Sequence, residues 1–108
     1  MKETFGEYIH KLRSDNGLTL TKLAAALDID QSTLSKIENG KRNVPFEVLP
    51  KLSSFFNLEL KDLEQAYLIE KIAEIIYPQE EPAQLLKAAE AKAKYMKQKN
   101  LEQGKINF

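Results

Sequence analysis

The sequence predicts an all-α fold, and three observations carry that expectation. Apolar residues recur at intervals of three and four from Phe5 to Met96, the spacing that puts side chains on one face of a helix. No stretch alternates apolar and polar residues with a period of two, so no strand is expected. Turn-forming clusters such as "DNG" at 15–17 and "YPQEEP" at 77–82 separate the periodic runs.

The first helix runs from about residue 4 to 15, because Phe5, Ile9 and Leu12 share a face with Tyr8 beside them. Gly17 ends it by adopting the left-handed conformation favoured at helix C-termini. Thr19 is the N-cap of a short second helix with Leu20, Leu23, Ala24 and Leu27 on one face. "DID" at 28–30 interrupts that helix, and Asp30 caps a third from Gln31 to Asn39 with Leu34 and Ile37 inward. Gly40 stops it. The fourth helix begins around Phe46 or later, since Pro50 is tolerated only near a first turn, where its missing N–H costs little. Its apolar residues are Val48, Leu49, Leu52, Phe55 and Phe56. A longer fifth helix over 60–77 carries Leu63, Tyr67, Leu68, Ile72, Ile75 and Ile76. Pro82 suits the first turn of a sixth, which reaches about Lys99 with Leu85, Leu86, Ala89, Ala93 and Met96 inward. The tail over 101–108 is read as flexible, with Ile106 and Phe108 as candidates to dock.

A chain of 108 residues has room for one domain and a small appendage. With 43% hydrophobic residues it can form a compact core. No apolar run approaches the roughly 20 residues that span a bilayer, and "MKETFGEYIHK" lacks the apolar stretch of a signal peptide. The expectation is a cytoplasmic protein without membrane contact. The absence of cysteine removes disulfides, thiolate metal sites and thiol nucleophiles. Sixteen basic and sixteen acidic side chains cancel, which weakens a nucleic-acid reading, because phosphate binding draws on Lys and Arg. A local basic patch can still steer a polyanion when the total is neutral. Near residue 59 short helices give way to two long ones. The expected domains are a head over 1–65, a helical extension over 66–100 and the tail.

Within the head, the second and third helices and the turn between them fit a helix-turn-helix. The later helix of such a pair must stand proud enough to enter a major groove roughly 12 Å wide. The earlier one braces it, and their close approach needs a small residue, which Ala24 supplies. Leu20, Leu23, Ile29, Leu34 and Ile37 lock the two together. "LTLTKLAAALDIDQSTLSKIENGKR" resembles the DNA-binding motif of the Cro/cI-like (Xre-like) repressor family. The likeness covers about residues 5–65 and implies a five-helix, lambda-repressor-like DNA-binding head with a C-terminal helical extension. A proline in the fourth helix is met in phage repressors of this family. Asp28 departs from the pattern, which often has Gly in the turn, but Asp tolerates left-handed conformations better than most residues.

The resemblance also implies roles. Gln31 and Ser32 match base-contacting positions, and Ser35 and Lys36 lie on the same outward face. Gln can bind adenine bidentately, and Lys can donate to guanine O6 and N7. Thr19, Thr21 and Lys22 suit phosphate oxygens beside the N-terminal amides of the second helix. Asn39, Lys41 and Arg42 suit the flanking backbone. Arg13 and Glu38 match a pair that ties the first helix to the third, a structural role.

No catalytic constellation is legible. Nucleophilic catalysis needs a Ser, Cys or Lys beside a base held by a third group, and His10, the lone histidine, reads as an exposed flank residue. A catalytic metal needs about three converging ligands. The carboxylates here sit on exposed faces near lysines, as Glu70 and Glu74 do near Lys71. Neither an enzyme, a metal site nor a cofactor is expected.

One head reads too few base pairs to select a genomic site, so a homodimer on a two-fold operator of double-stranded DNA is expected. Leu68, Ile72, Ile75 and Ile76 of the fifth helix, with the sixth helix, are the dimer candidates. The competing role for these residues is to pack the sixth helix back on the head. The head motif followed by "YLIEKIAEIIYPQEEPAQLLKAAEAKAKYMK" is similar to the controller proteins of restriction-modification systems. That likeness implies control of a methyltransferase or nuclease gene. Two other functions stay open: an antitoxin whose C-terminal helices bind a protein partner, and an interaction adaptor that does not bind DNA.

Overall fold

The computed structural model describes residues 2–102. The helices are α1 (Phe5–Asp15), α2 (Leu20–Leu27), α3 (Gln31–Glu38), α4 (Val48–Phe56), α5 (Leu60–Ile76) and α6 (Pro82–Glu102). No strand occurs among the described residues, and the all-α expectation holds. Leu101 and Glu102 continue α6 rather than beginning a tail. The rest of the expected tail, with Ile106 and Phe108, lies outside the described residues.

The termini obey local chemistry. Thr4 and Glu7 form a reciprocal capping box at the start of α1, at 3.1 and 2.8 Å. Thr19 and Asp30 each accept a backbone N–H three residues on, Lys22 at 3.1 Å and Thr33 at 2.7 Å. The helices α1 to α4 all end against a left-handed residue: Gly17, Asp28, Gly40 and Asn57. In each case the next amide reaches back five residues, as Ile29 N–H does to the Ala24 carbonyl at 3.0 Å. Pro50 is the third residue of α4, inside its first turn.

Burial is concentrated early in the chain. Ile9, Leu23, Leu27, Leu34, Ile37, Leu49 and Leu52 are fully buried, joined by Phe5, Ala24, Val44, Val48 and Leu63. At Gly6 the backbone of α1 lies so close to α3 that an added Cβ would overlap the Ile37 carbonyl oxygen. Glu70, read from sequence as a solvated charge, is half-buried, and its carboxylate accepts the Phe5 N–H at 2.8 Å. A carboxylate there satisfies an otherwise unpaired amide at the start of α1. Phe55, expected among the apolar positions of α4, is exposed.

The chain divides into two compact units, one running through Lys71 and the other from Ile72. In the second unit Leu85, Leu86 and Met96, expected inward, are exposed in the single chain. No helix among the described residues is long and apolar enough to cross a membrane.

Candidate nucleic-acid interface

The candidate interface is built by α2 and α3. Three residues, Asp28 to Asp30, connect the two helices. The first of them is left-handed, with φ 57° and ψ 43°, which turns the chain sharply. Ile29 follows and packs on the core. Asp30 starts α3, and its carboxyl is held below the usual range by hydrogen bonds from the Thr33 backbone and side chain, with Arg42 and Lys36 adding attraction. The cap therefore stays ionised where it accepts the amide of Thr33.

Leu34 and Ile37 anchor α3 on one side. The opposite side carries Gln31, Ser32, Ser35 and Lys36, all exposed except Ser35, which is half-buried. Thr19, Thr21 and Lys22 are exposed at the start of α2, and Asn39, Lys41 and Arg42 are exposed after α3. The hydroxyl of Thr19 is engaged as the N-cap acceptor of α2, which leaves its own O–H to donate. Asn39 Nδ2 lies 3.5 Å from Ser35 Oγ. Thr21 is tied more firmly: its hydroxyl donates to Gln31 Oε1 at 2.7 Å. That bond orients the Gln31 amide and leaves its N–H groups directed elsewhere. The spacing of ten residues between the two gave no local signal for it.

Behind this surface lies a charged link that fixes the angle of α3. Arg13 Nε donates to Glu38 Oε2 at 2.8 Å, and Nη2 donates to Oε1 at 3.0 Å. Arg13 Nη1 also donates to the Leu18 carbonyl at 3.0 Å, tying in the turn before α2. His10 Nδ1 stands 2.8 Å from Glu38 Oε1, so the histidine, exposed on the flank of α1 as its sequence position suggests, also joins this cluster. Burial pushes the Glu38 carboxyl up, but the hydrogen bonds from Arg13 and His10 outweigh it and hold the group below its ordinary value. The same bond raises Arg13. His10 and Arg13, three residues apart on one helix face, could have been grouped by spacing.

Among the described residues no group of three or more His, Asp or Glu side chains could hold a metal. What the surface offers is hydrogen-bond donors and acceptors on the exposed face of α3, flanked by Lys22, Lys41 and Arg42. That is the chemistry of base-edge and phosphate recognition.

Residues 9–63 match the model of the helix-turn-helix family. The HTH-type transcriptional repressor RghR of Bacillus subtilis is 36% identical over 91 residues, covering 82% of this chain and 67% of that protein. Control protein C.MunI of a Mycoplasma species is 39% identical over 64 residues, covering 58% of this chain and 86% of its own. Control protein C.BamHI of Bacillus amyloliquefaciens is 33% identical over 60 residues, covering 55% and 74%. No solved structure is a significant match to the chain. The matched segment spans half the sequence and contains both α2 and α3, so the chain belongs to the helix-turn-helix family of DNA-binding transcriptional regulators.

Proposed function

We propose that the protein acts as a repressor-like regulator that binds a two-fold operator as a homodimer, with α3 of each copy in the major groove. The observation that supports this most is the outward face of α3, where Gln31 is exposed and its amide is already oriented by Thr21. Gln31, Ser32, Ser35 and Lys36 meet base edges in this reading. Thr19, Lys22, Asn39, Lys41 and Arg42 meet phosphates, which position the protein without specifying sequence, while the Thr21 hydroxyl, expected from sequence on the backbone, is given to Gln31 instead. The head over 1–65 binds DNA, and the extension over 66–100 holds the dimer through Leu68, Ile72, Ile75, Ile76 and α6. The protein works in the cytoplasm without catalysing a reaction. Its regulated gene is a methyltransferase or nuclease gene of a restriction-modification system, a reading supported by the similarity to two proteins named control proteins.

The test is a gel-shift titration on the DNA upstream of the protein's own gene, at two salt concentrations. Tight binding that weakens steeply with salt is expected. Gln31→Ala costs roughly 1–3 kcal/mol of specific binding with the melting temperature unchanged. Unchanged operator affinity in that variant would remove α3 from its assigned place.

A further inference from the structure

Among the described residues, an apolar face of the second unit has no cover. Ile72 with Ala83, Leu86, Ala89 and Ala93 lines a groove, with Lys87 and Glu90 at its edge. Ile72 is 45% exposed, Leu86 44% and Met96 59%. Isolated apolar residues on a surface need no explanation, but a contiguous face of this kind marks an interaction site. Along α6 the residues Pro82, Leu86, Ala89, Ala93, Met96 and Asn100 recur at alternating spacings of four and three, the repeat of a helix that packs along another helix.

This seam is symmetric about Ala91. Laid against itself in the opposite direction, it pairs Leu86 with Met96 and Ala89 with Ala93, and Pro82 falls opposite Asn100. Crossing helices approach most closely at the crossing point and diverge away from it. Small residues at the centre and larger ones toward the ends suit that shape. Charge selects the same direction. Glu80, Glu81 and Glu90 lie at or before the middle of α6, with Lys87 the one cation among them, whereas Lys92, Lys94, Lys97 and Lys99 follow it with no acid before Glu102. An antiparallel pair sets the acidic portion of one helix beside the basic portion of the other. A parallel pair would set four lysines against four lysines. Glu90 and Lys92 each lie near their own copies at the dyad, at the rim where solvent screens them.

We propose that the occupant of this face is a second copy of the chain, joined through an antiparallel α6–α6 contact centred on Ala89 and Ala93. The contact is isologous, each copy presenting the same surface. It builds on the dimer reading above and gives that dimer a seam and a direction. The Ile72 side of the groove then receives the partner helix, and the two-fold axis needed for a palindromic operator passes near Ala91.

Because the chain has no cysteine, introduced thiols report the geometry cleanly. Leu86→Cys and Met96→Cys are made separately in the full chain, mixed, and oxidised. An antiparallel seam gives a disulfide only between the two different variants. Residues ten apart on a helix are separated by about 15 Å, beyond disulfide reach, so neither variant alone crosslinks. Self-crosslinking of Leu86→Cys would establish a parallel pair and overturn the proposal. Ala89→Glu with Ala93→Glu keeps good helix formers on α6 while placing charge at the centre of the seam. Sedimentation equilibrium is expected to show a dimer for the parent chain and a dissociation constant at least 100-fold weaker for this variant, with the melting transition of the head retained. A parent chain that stays monomeric, or a variant that dimerises like the parent, would also overturn it. Gel shifts on the same samples separate the two readings. A seam-linked dimer without operator binding would defeat the DNA assignment alone, and operator binding with an unaffected dimer would defeat the seam alone.

Discussion

Leu34 and Leu86 both lie on helices with a clear apolar face, yet Leu34 is fully buried and Leu86 is 44% exposed. The contrast runs through the two units. In the first, α1 to α4 and Leu63 close a core around Leu34. In the second, Ile75 is 66% exposed and Met96 59% exposed. Periodicity reports that a face is apolar and is silent on what covers it. The difference teaches that an apolar stripe on a helix does not by itself imply a core: the first unit buries its stripes, and the second leaves its own exposed in the single chain.

Replacing each leucine by alanine separates these two uses, and this is the largest expected effect. Leu34→Ala removes a packed side chain and leaves a cavity, costing about 3 kcal/mol of folding stability. Leu86→Ala changes the stability of the dissociated chain by about 0.5 kcal/mol or less, and instead weakens association. Chemical denaturation at low protein concentration reads the first quantity and sedimentation reads the second. Equal losses of stability in the two variants would abolish the distinction between the units.

The head was legible where its short helices announce their ends, and less so for α4, which starts after Glu47 with no side-chain cap. Thr19, Asp30, Gly17 and Gly40 act where their chemistry places them. Long-range polar links were less so. Nothing in the local pattern connects Glu70 to the amide of Phe5, 65 residues away, or Thr21 to Gln31. The close approach at Gly6 depends on the crossing of two helices, which no single-helix pattern encodes. For α5 and α6 the sequence located the apolar residues, but periodicity could not tell that Leu85, Leu86 and Met96 stay exposed, because nothing among the described residues covers them.

The His10–Arg13–Glu38 cluster of the head differs from ordinary surface charge. The Glu38 side chain is 5% exposed and Arg13 is 16% exposed. Removing Arg13 takes two hydrogen bonds from the Glu38 carboxylate and leaves it His10 as a partner, so Arg13→Ala costs about 2 kcal/mol. The pH dependence follows from the depressed Glu38 carboxyl. Its contribution is fully present above the ordinary value of 4.5 and is lost as pH falls through the lower folded value. Melting temperatures measured downward from pH 6 fall more steeply for the parent chain than for Glu38→Gln, which starts lower and has no carboxylate to titrate. Parallel curves would deny Glu38 this role.

Thr21 tests whether the exposed face of α3 is organised beyond its core anchors. Thr21→Val removes the hydroxyl that donates to Gln31 and nearly preserves shape. Folding stability is expected to hold, because the site is exposed, while operator affinity drops by about 1 kcal/mol, the worth of one hydrogen bond. A simple phosphate contact would give the same single-variant loss, so the decisive measurement is the double variant with Gln31→Ala. If Thr21 acts by orienting Gln31, its loss vanishes once Gln31 is gone. Additive losses would return Thr21 to the backbone-contacting set.

The smallest effect concerns Asp28, which ends α2 in the conformation that Gly17 and Gly40 adopt at the ends of α1 and α3. A side chain in the left-handed region carries a steric cost that glycine lacks, reduced for Asp but still present. Glycine at 28 relieves that cost and loses the contact with Lys51 at 3.4 Å, an exposed pair of little worth. It also gains freedom in the unfolded chain, which opposes the benefit. The balance favours Asp28→Gly by about 0.5 kcal/mol, read as a small rise in the denaturation midpoint. A fall of similar size would mean that Asp28 contributes more through its carboxylate than its backbone conformation costs. The turn between α2 and α3 would then be held by charge as well as by geometry.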